Sequence, residues 1–401
     1  MTGYPALLLV LNAGSSSVKF AVYSAEEAPA LRLSGAVEGI GRDEARLRLT
    51  DAGGVVKRNE ASSASNQVEA IHAILTALAE HQEPGAIGAV GHRIVHGGPD
   101  RTCPILVTPE LEAYLDRLVP LAPLHLPHNI AGVAAVRARL PKVPQVACFD
   151  TAFHAEMPSR AKLTSLPRDV AGAEIRRYGF HGLSYEFVVD EVWRGGAADD
   201  ERLIVAHLGS GASMAAVRGG RCVATTMGFS TLSGLPMATR CGDLDPGIVL
   251  YLLLERKMSP ETLQHLLYER SGLLGLSGIT SDMRDLLGQA HRPEAAEAID
   301  YYCTQARAHL GALATTLGGV DRLVFTAGIG ANAPEIRARI CTGLEFLGIE
   351  VDPERNRSGA RRLSSKSSRV IVETFPTNEE LMIARHTIAV LRQRHREPGV
   401  L

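Results

Sequence analysis

The 401-residue sequence has almost no net charge, no closely spaced cysteine pair and no long apolar segment. Its 42 basic and 44 acidic side chains leave a net charge of −2 at pH 7, so the chain as a whole does not attract nucleic acid or an anionic membrane. None of the six cysteines lies in a CxxC motif, which fits free thiols in a reducing cytoplasm. Any binding of anions must therefore depend on local groups.

The longest apolar runs are unsuited to a membrane. Residues 7–11 have no basic residue before them and pass directly into a Gly/Ser turn, which indicates a strand and not a signal peptide. Residues 248–254 are far too few to cross a bilayer. A hydrophobic content of 45% supports two domains of roughly 150 to 200 residues each. We therefore expect a cytoplasmic enzyme with neither nucleic acid nor a membrane as partner.

A strand, a Gly/Ser turn and a second strand occur twice in the chain, at residues 6–23 and 203–217. Each copy is typical of a tight β-hairpin whose small tip residues leave backbone N–H groups uncovered. Two such tips could hold a polyphosphate from opposite sides. The alternative is two ordinary hairpins, but the recurrence, with Asn12 and His207 just before the tips, favours phosphate binding.

The remaining periodicity predicts an α/β protein with two duplicated domains that face a central cleft. A strand at 145–149 delivers Asp150 at its carboxyl end, where open α/β sheets place their chemistry. We expect further strands at 86–95 and 320–326. Helices are expected at 68–79, 129–140, 244–256, 260–268 and 295–317.

Four polar residues follow apolar runs in short polar segments: Arg93 in HRIVHGG, Asp150 in CFDTAFH, His181 in YGFHG and Arg240 in MATRCGDLDP. Each alone is weak evidence, since such residues commonly form surface ion pairs or caps. Together with NAGSSSVKF, LAPLH, HLGSGAS, SDMRDL, FTAGIGAN and PTNEE, they make nearly the whole chain resemble the acetate kinase family.

The resemblance implies a fold of two RNase H-like domains, as in actin-like ATPases, around a central cleft. Residues 1–151 would form an acid-binding domain completed by a C-terminal helix at about 384–401, and 152–383 a nucleotide-binding domain. It further implies a homodimer. The implied reaction is reversible, Mg²⁺-dependent phosphoryl transfer from ATP to acetate, giving ADP and acetyl phosphate.

The implied catalytic residues suit transfer to a carboxylate. Acetate is ionised at neutral pH, so the nucleophile needs no general base. Arg93 and Arg240 match the family's pair of arginines, which can hold carboxylate and phosphoryl oxygens together. His181 matches the donor to the transferred group. Asp150 matches the essential carboxylate, and we assign it to orienting an arginine or Mg²⁺-bound water.

The resemblance also implies a metal site and a nucleotide site. Asn12 and Glu379 match the positions that hold Mg²⁺, for which Mn²⁺ is a substitute, and a small number of oxygen donors suits that ion. The implied nucleotide-binding residues are Lys19, His207, Gly209, Ser210, Gly211, Asp282, Met283, Arg284, Gly328, Ile329, Gly330, Ala331 and Asn332.

The resemblance also implies an apolar pocket for the acid, formed by Val95, Leu124 and Phe180 with Thr231 and the substrate-side His125. For Leu124, a role in the hydrophobic core is nearly as good an interpretation. The pair His125 and His128 could also suggest zinc, but no thiolate or acidic cluster accompanies it and the intervening proline opposes a helical ligand face.

Several positions depart from the family motifs without removing a catalytic charge. Ser210 stands for an asparagine and Thr231 for a proline. The other departures are Leu126, Leu183, Tyr185 and Ala331. The alternatives are therefore a kinase for propionate or another short acid, a non-metabolic ATPase of the actin or Hsp70 kind, and an inactive descendant. Retention of Arg93 and Arg240 argues against the second, and Ser210 alone supports the third.

Overall fold

The computed structural model describes residues 7–14, 16–42, 44–81 and 87–396. Parts of three predicted segments, at residue 6, residue 86 and residues 397–401, lie outside the described residues. The chain divides into two compact units: unit 1 contains residues 1–152 and 378–401, and unit 2 contains residues 153–377. Within the described ranges, no helix is long and apolar enough to cross a membrane.

Unit 1 is built on one eight-stranded sheet in the order β5-β4-β3-β2-β1-β6-β8-β7. Its central strand pairs antiparallel with the second strand and parallel with the sixth. Residues 7–11 are buried throughout, as expected for a strand covered on both faces. The strands are β1 (Leu7–Ala13), β2 (Ser17–Ser24), β3 (Leu31–Glu38), β4 (Arg46–Asp51), β5 (Val56–Ala61), β6 (Ile87–Ile94), β7 (Ile105–Leu106) and β8 (Gln145–Phe149).

Unit 1 has three helices before β8 in the described sequence: α1 (Gln67–Glu80), α2 (Pro109–Leu118) and α3 (Leu126–Arg139). The Asn66 side chain caps α1 by accepting a hydrogen bond from the Glu69 N–H at 3.0 Å. The predicted helix at 129–140 begins earlier, at Leu126, because Pro127 occupies the first turn. Backbone N–H groups in the first turn have no partner within the helix, so a proline, which has no N–H, is tolerated there.

Unit 2 contains a five-stranded sheet in the order β11-β10-β9-β12-β13. Its strands are β9 (Arg202–Leu208), β10 (Ala212–Arg218), β11 (Arg221–Thr225), β12 (Arg322–Thr326) and β13 (Ile371–Thr374). As in unit 1, the central strand pairs antiparallel with its hairpin partner and parallel with a later strand. The five strands therefore repeat the arrangement β3-β2-β1-β6-β8, which confirms the predicted duplication.

The helices of unit 2 include the expected helices near 246–254, 260–269 and 293–317, each with proline in its first turn. The longest ends at Gly318, whose φ of 72° lies in the left-handed region. They are α4 (Ser159–Lys162), α5 (Arg168–Ala171), α6 (Gly182–Arg194), α7 (Pro246–Leu254), α8 (Pro260–Glu269), α9 (Gly272–Ser277), α10 (Met283–Gly288), α11 (Pro293–Leu317), α12 (Ala327–Asn332), α13 (Pro334–Cys341) and α14 (Pro353–Ser358).

The last helix, α15 (Glu379–Arg396), returns to unit 1 and packs on β1, β6 and β8. It begins before the expected residue 384 because the Asn378 side chain accepts a hydrogen bond from the Leu381 N–H at 2.9 Å and so caps an earlier turn. A Cβ atom on Gly91 would collide with Thr387 and Ile383, so this close approach requires glycine in β6.

Candidate active site

Unit 1 brings four of the predicted site residues into one network. Arg93 in β6 and Asp150 directly after β8 lie at the carboxyl ends of adjacent parallel strands. The Arg93 Nη2 donates to Asp150 Oδ2. Its Nη1 lies 3.4 Å from Asn12 Oδ1, and Asn12 Nδ2 lies 3.4 Å from Glu379 Oε2. Strand ends, a hairpin and the start of α15 therefore assemble this cluster.

Burial and neighbouring charges change the pKa values of Arg93 and Glu379 in this network. Asp150 is fully buried, and no described residue forms a hydrogen bond with its Oδ1. Burial alone would lower the pKa of Arg93, but the carboxylates of Asp150 and Glu379 outweigh it and raise that pKa. Burial raises the pKa of Glu379 to about 7, with Arg93 opposing and Asp150 adding to the rise. Arg93 therefore stays cationic, while Glu379 lacks full compensation for its charge.

The oxygen atoms of this cluster fit Mg²⁺. Asn12 Oδ1, the unbonded Asp150 Oδ1 and the Glu379 carboxylate are hard donors with unused lone pairs, the kind Mg²⁺ prefers alongside retained waters. No group of three His, Cys, Asp or Glu side chains in the described ranges could hold a metal by itself. The exposed Lys19 pairs in register with Asn12, and its charge partly opposes the rise in the pKa of Glu379.

Unit 2 brings together two predicted histidines as a stacked pair. The rings of His181 and His207 lie 4.2 Å apart between centroids, with an interplanar angle of 15°. Each Nδ1 contacts a serine hydroxyl: His181 contacts Ser213 at 2.8 Å, and His207 contacts Ser184 at 2.7 Å. His181 precedes α6 with a φ of 60°, a left-handed conformation that is costly for a side chain with a Cβ.

The second hairpin tip lies against His181 and Arg240. A Cβ atom on Gly211 would lie 3.1 Å from His181 Nε2 and 3.8 Å from Arg240 Nη1. The Ser210 carbonyl accepts a hydrogen bond from the Ala238 N–H at 3.1 Å, which ties the tip to the loop that carries Arg240. Arg240 Nη1 in turn lies 3.3 Å from the Thr231 carbonyl oxygen. The glycine-containing hairpin tip, an imidazole and a guanidinium thus lie close together within unit 2.

The predicted nucleotide residues 328–332 form most of the short helix α12, directly after β12. A Cβ atom on Gly209 would lie 3.5 Å from the Ala327 Cβ, so the hairpin tip is adjacent to the start of this helix. Asp282 caps α10 by accepting from the Arg284 N–H at 2.7 Å, and Met283 is its first residue. This segment packs on α11.

The predicted acid-pocket residues are divided between the units. In unit 1, Val95 is buried, while Leu124 and His125 are half-buried at the start of α3. In unit 2, Phe180 and Thr231 are both buried. Val95 directly follows β6, which carries Arg93, and Phe180 directly precedes His181.

Four residues that contact the predicted site residues or the segments that carry them were not predicted from the sequence: Asn129, Ser184, Ser213 and Tyr185. Asn129 donates to the Ala13 carbonyl at 2.9 Å and accepts from the Val95 N–H at 2.9 Å, which links the first hairpin to the end of β6. Its partners are distant in sequence, so no local pattern could identify it. Tyr185 carried one signal, since it departs from a motif that otherwise has histidine.

Comparisons with known proteins show which family the chain is similar to. The family described as the acetokinase family matches residues 7–385. An acetate kinase from Methylocella silvestris is 47% identical over 401 residues, covering 96% of this chain and 98% of the relative. The crystal structure of a Porphyromonas gingivalis acetate kinase has a TM-score of 0.86 at 36% identity, and that of a Francisella tularensis propionate kinase 0.90 at 33%. Each structural match covers 96% of this chain and 100% of the other.

Proposed function

Because the chain belongs to the acetokinase family, we propose that it transfers the γ-phosphoryl group of ATP to acetate, reversibly and with Mg²⁺, to give ADP and acetyl phosphate. Unit 1 binds the acid and unit 2 the nucleotide. The observation that carries the proposal is the presence of two arginines, Arg93 and Arg240, each within a cluster suited to phosphoryl transfer. A carboxylate acceptor beside a phosphate is a pair of anions, which such cations bring together.

In this reaction an oxygen of ionised acetate attacks the γ-phosphorus while the bond to the ADP oxygen breaks. No proton has to leave the nucleophile, so a general base is unnecessary. Asp150 is buried in an ion pair with Arg93, which suits it to orienting that guanidinium. Arg93 holds the acetate carboxylate, and Arg240 meets charge on the transferred group.

The second hairpin and His181 serve the phosphates. The small tip residues Gly209, Ser210 and Gly211 leave room for a phosphate oxygen to approach the backbone. The Nε2 atom of His181 faces this tip and can donate to an equatorial oxygen of the transferred group.

Asn12 and Glu379, with the unbonded Oδ1 of Asp150, would hold Mg²⁺ directly or through water. When bound, the ion neutralises negative charge on the phosphates. The position of Lys19 beside Asn12 in the hairpin suits a contact with the same phosphates.

A kinase for propionate is the second candidate, because Thr231 stands where the family has proline and a propionate kinase is among the structural neighbours. The test is to trap acyl phosphate with hydroxylamine and measure rates with acetate, propionate, butyrate and glycolate. One methylene is worth at most about 1 to 3 kcal/mol, so acetate and propionate should differ by no more than about a hundredfold in kcat/KM. Faster turnover of butyrate or glycolate than of acetate would contradict the acetate assignment but not carboxylate phosphorylation.

The homodimer implied by the resemblance is supported by α7, whose residues are apolar but none of which is buried. Leu250 and Leu254 are 56% and 58% exposed. Helices with such exposed apolar faces commonly pack against a second chain. Replacing both leucines with glutamate should give a monomer in light scattering, whereas Leu163→Glu, at another exposed leucine, should not change the mass. A dimer that survives the double substitution would refute this interface.

The six cysteines are free thiols in the described structure, which supports a cytoplasmic enzyme.

A further inference from the structure

We propose that Tyr185 is a positioning residue that selects the tautomer of His181 through Ser213. The proposal rests on the proposed role of His181 as a donor to the transferred phosphoryl group. Neither Tyr185 nor Ser213 belongs to the predicted site, and Tyr185 departs from the family motif.

The three side chains form a continuous hydrogen-bonded chain. The Tyr185 hydroxyl contacts Ser213 Oγ, and Ser213 Oγ lies 2.8 Å from His181 Nδ1. Tyr185 and Ser213 are both fully buried. The Tyr185 ring is held in place by Phe153, stacked at 5.9 Å between centroids, and by the edge of His154 at 5.6 Å. The tyrosine therefore presents its hydroxyl to Ser213 from a rigid position.

The Ser213 hydroxyl has one hydrogen and contacts two polar atoms, so the two arrangements in which this hydrogen stays within the chain differ in which of them it is donated to. In the first, Tyr185 donates to Ser213 and Ser213 donates to His181 Nδ1. In the second, His181 Nδ1–H donates to Ser213 and Ser213 donates to the tyrosine oxygen. A phenol is a stronger acid than an alcohol and hence the stronger donor, so Tyr185 favours the first arrangement.

The first arrangement leaves the imidazole proton on His181 Nε2, the atom that faces Gly211 at the hairpin tip. A neutral ring with this tautomer donates a hydrogen bond toward the position proposed for the phosphate. The stacked His207 has the same type of contact, with Ser184 at its Nδ1.

The test uses the full-length enzyme and its Tyr185→Phe variant, with Tyr178→Phe as the matched control. Tyr178 is a buried tyrosine of unit 2 that donates instead to the Glu174 carbonyl. In ¹⁵N-histidine NMR spectra, Tyr185→Phe should shift the His181 population away from the Nε2–H tautomer, while Tyr178→Phe should not. The kcat should fall by at least about tenfold with both KM values little changed, as expected when an orienting group is lost.

Ser213→Ala removes the hydroxyl that links Tyr185 to His181. It therefore provides a second test if the Tyr185→Phe variant folds poorly. The Ser213→Ala and Tyr185→Phe double variant should be no slower than the slower single variant, because both act through one ring. An unchanged His181 tautomer in either folded variant would overturn the proposal. The NMR result is independent of the substrate assignment: inactivity of the wild type on every acid would refute the proposed function without altering the tautomer measurement.

Discussion

The two units share a sheet arrangement but place opposite kinds of polar groups at the same position of their hairpins. Asn12 in β1 pairs in register with Lys19, and His207 in β9 pairs in register with Ser213. In unit 1, Asn12 contacts Arg93 and Glu379, two charged groups of a partly buried network. In unit 2, His207 belongs to a stacked pair of imidazoles bound by serine hydroxyls.

This comparison indicates that the duplicated sheet determines where side chains lie but not which chemical groups lie there. Unit 1 holds Arg93 and Glu379, and the carboxylate of Asp150 contributes to raising the pKa of both. Unit 2 places an imidazole and the guanidinium of Arg240 beside the glycine-containing hairpin tip. Changes in unit 1 should therefore alter both stability and activity, whereas changes in unit 2 should act mainly on turnover.

The largest expected effect separates the two arginines. Arg93→Ala leaves Asp150 buried without its cation, which should cost about 3 to 5 kcal/mol in the free energy of unfolding. Both Arg93→Ala and Arg240→Ala should lose about 2 to 4 kcal/mol of transition-state stabilisation, and the Arg240 loss should appear in kcat. Urea denaturation and steady-state kinetics measure the two effects. Activity within a few-fold of wild type for either variant would refute the assigned site.

A second prediction concerns His92, which is buried in unit 1 with its Nε2 2.7 Å from Gln145 Oε1. Burial lowers its pKa to about 4, although the Gln145 contact opposes this. The unfolded chain therefore binds the proton more readily, and stability present above about pH 6.5 is lost as the pH falls toward 4.

From His92 alone, the free energy of unfolding should fall by about 2 kcal/mol between pH 7 and pH 5. Urea melts at both pH values measure this fall, and His92→Gln should reduce it by the same amount. An equally steep pH dependence in His92→Gln would show that other groups are responsible.

A third prediction concerns the metal site proposed for unit 1. Asn12→Ala and Glu379→Ala should each raise the Mg²⁺ concentration needed for half-maximal activity by about tenfold, while affinity for metal-free nucleotide stays unchanged. Glu380→Ala, which removes the neighbouring carboxylate, is the matched control. Mg²⁺ titrations of all three variants test the assignment, and equal Mg²⁺ requirements in the Asn12 and Glu379 variants and the wild type would defeat it.

The smallest expected effect is confined to unit 2. The added methyl group of Gly211→Ala would crowd His181 Nε2 at 3.1 Å, so we expect a few-fold loss in kcat with an almost unchanged melting temperature. Gly311→Ala in α11 meets no atom within 4 Å and should leave kcat unchanged. A stability loss in Gly211→Ala as large as its activity loss would contradict the proposed contrast between the units.

Local sequence patterns predicted the strands and helices well where neighbouring residues in the sequence determine them. The strand 145–149 and both hairpins follow from apolar runs ended by small residues, and the structure confirms them. The start of α15 was predicted too late in the sequence, because the segment that contains Asn378 was assigned to the metal site and not to a helix cap. The contacts among Tyr185, Ser213 and His181 depend on tertiary packing between α6 and β10, which no single-sequence periodicity reports.

The return of α15 to unit 1 also bears on how the protein folds during synthesis. β1, β6 and β8 leave the ribosome before unit 2, whereas the helix that covers them is translated after it. At about 5 to 20 residues per second, the nascent sheet waits many seconds for its last layer and for Glu379. Unit 2 can complete its core first, and a chain stopped before residue 378 would present an uncovered apolar sheet to chaperones and proteases.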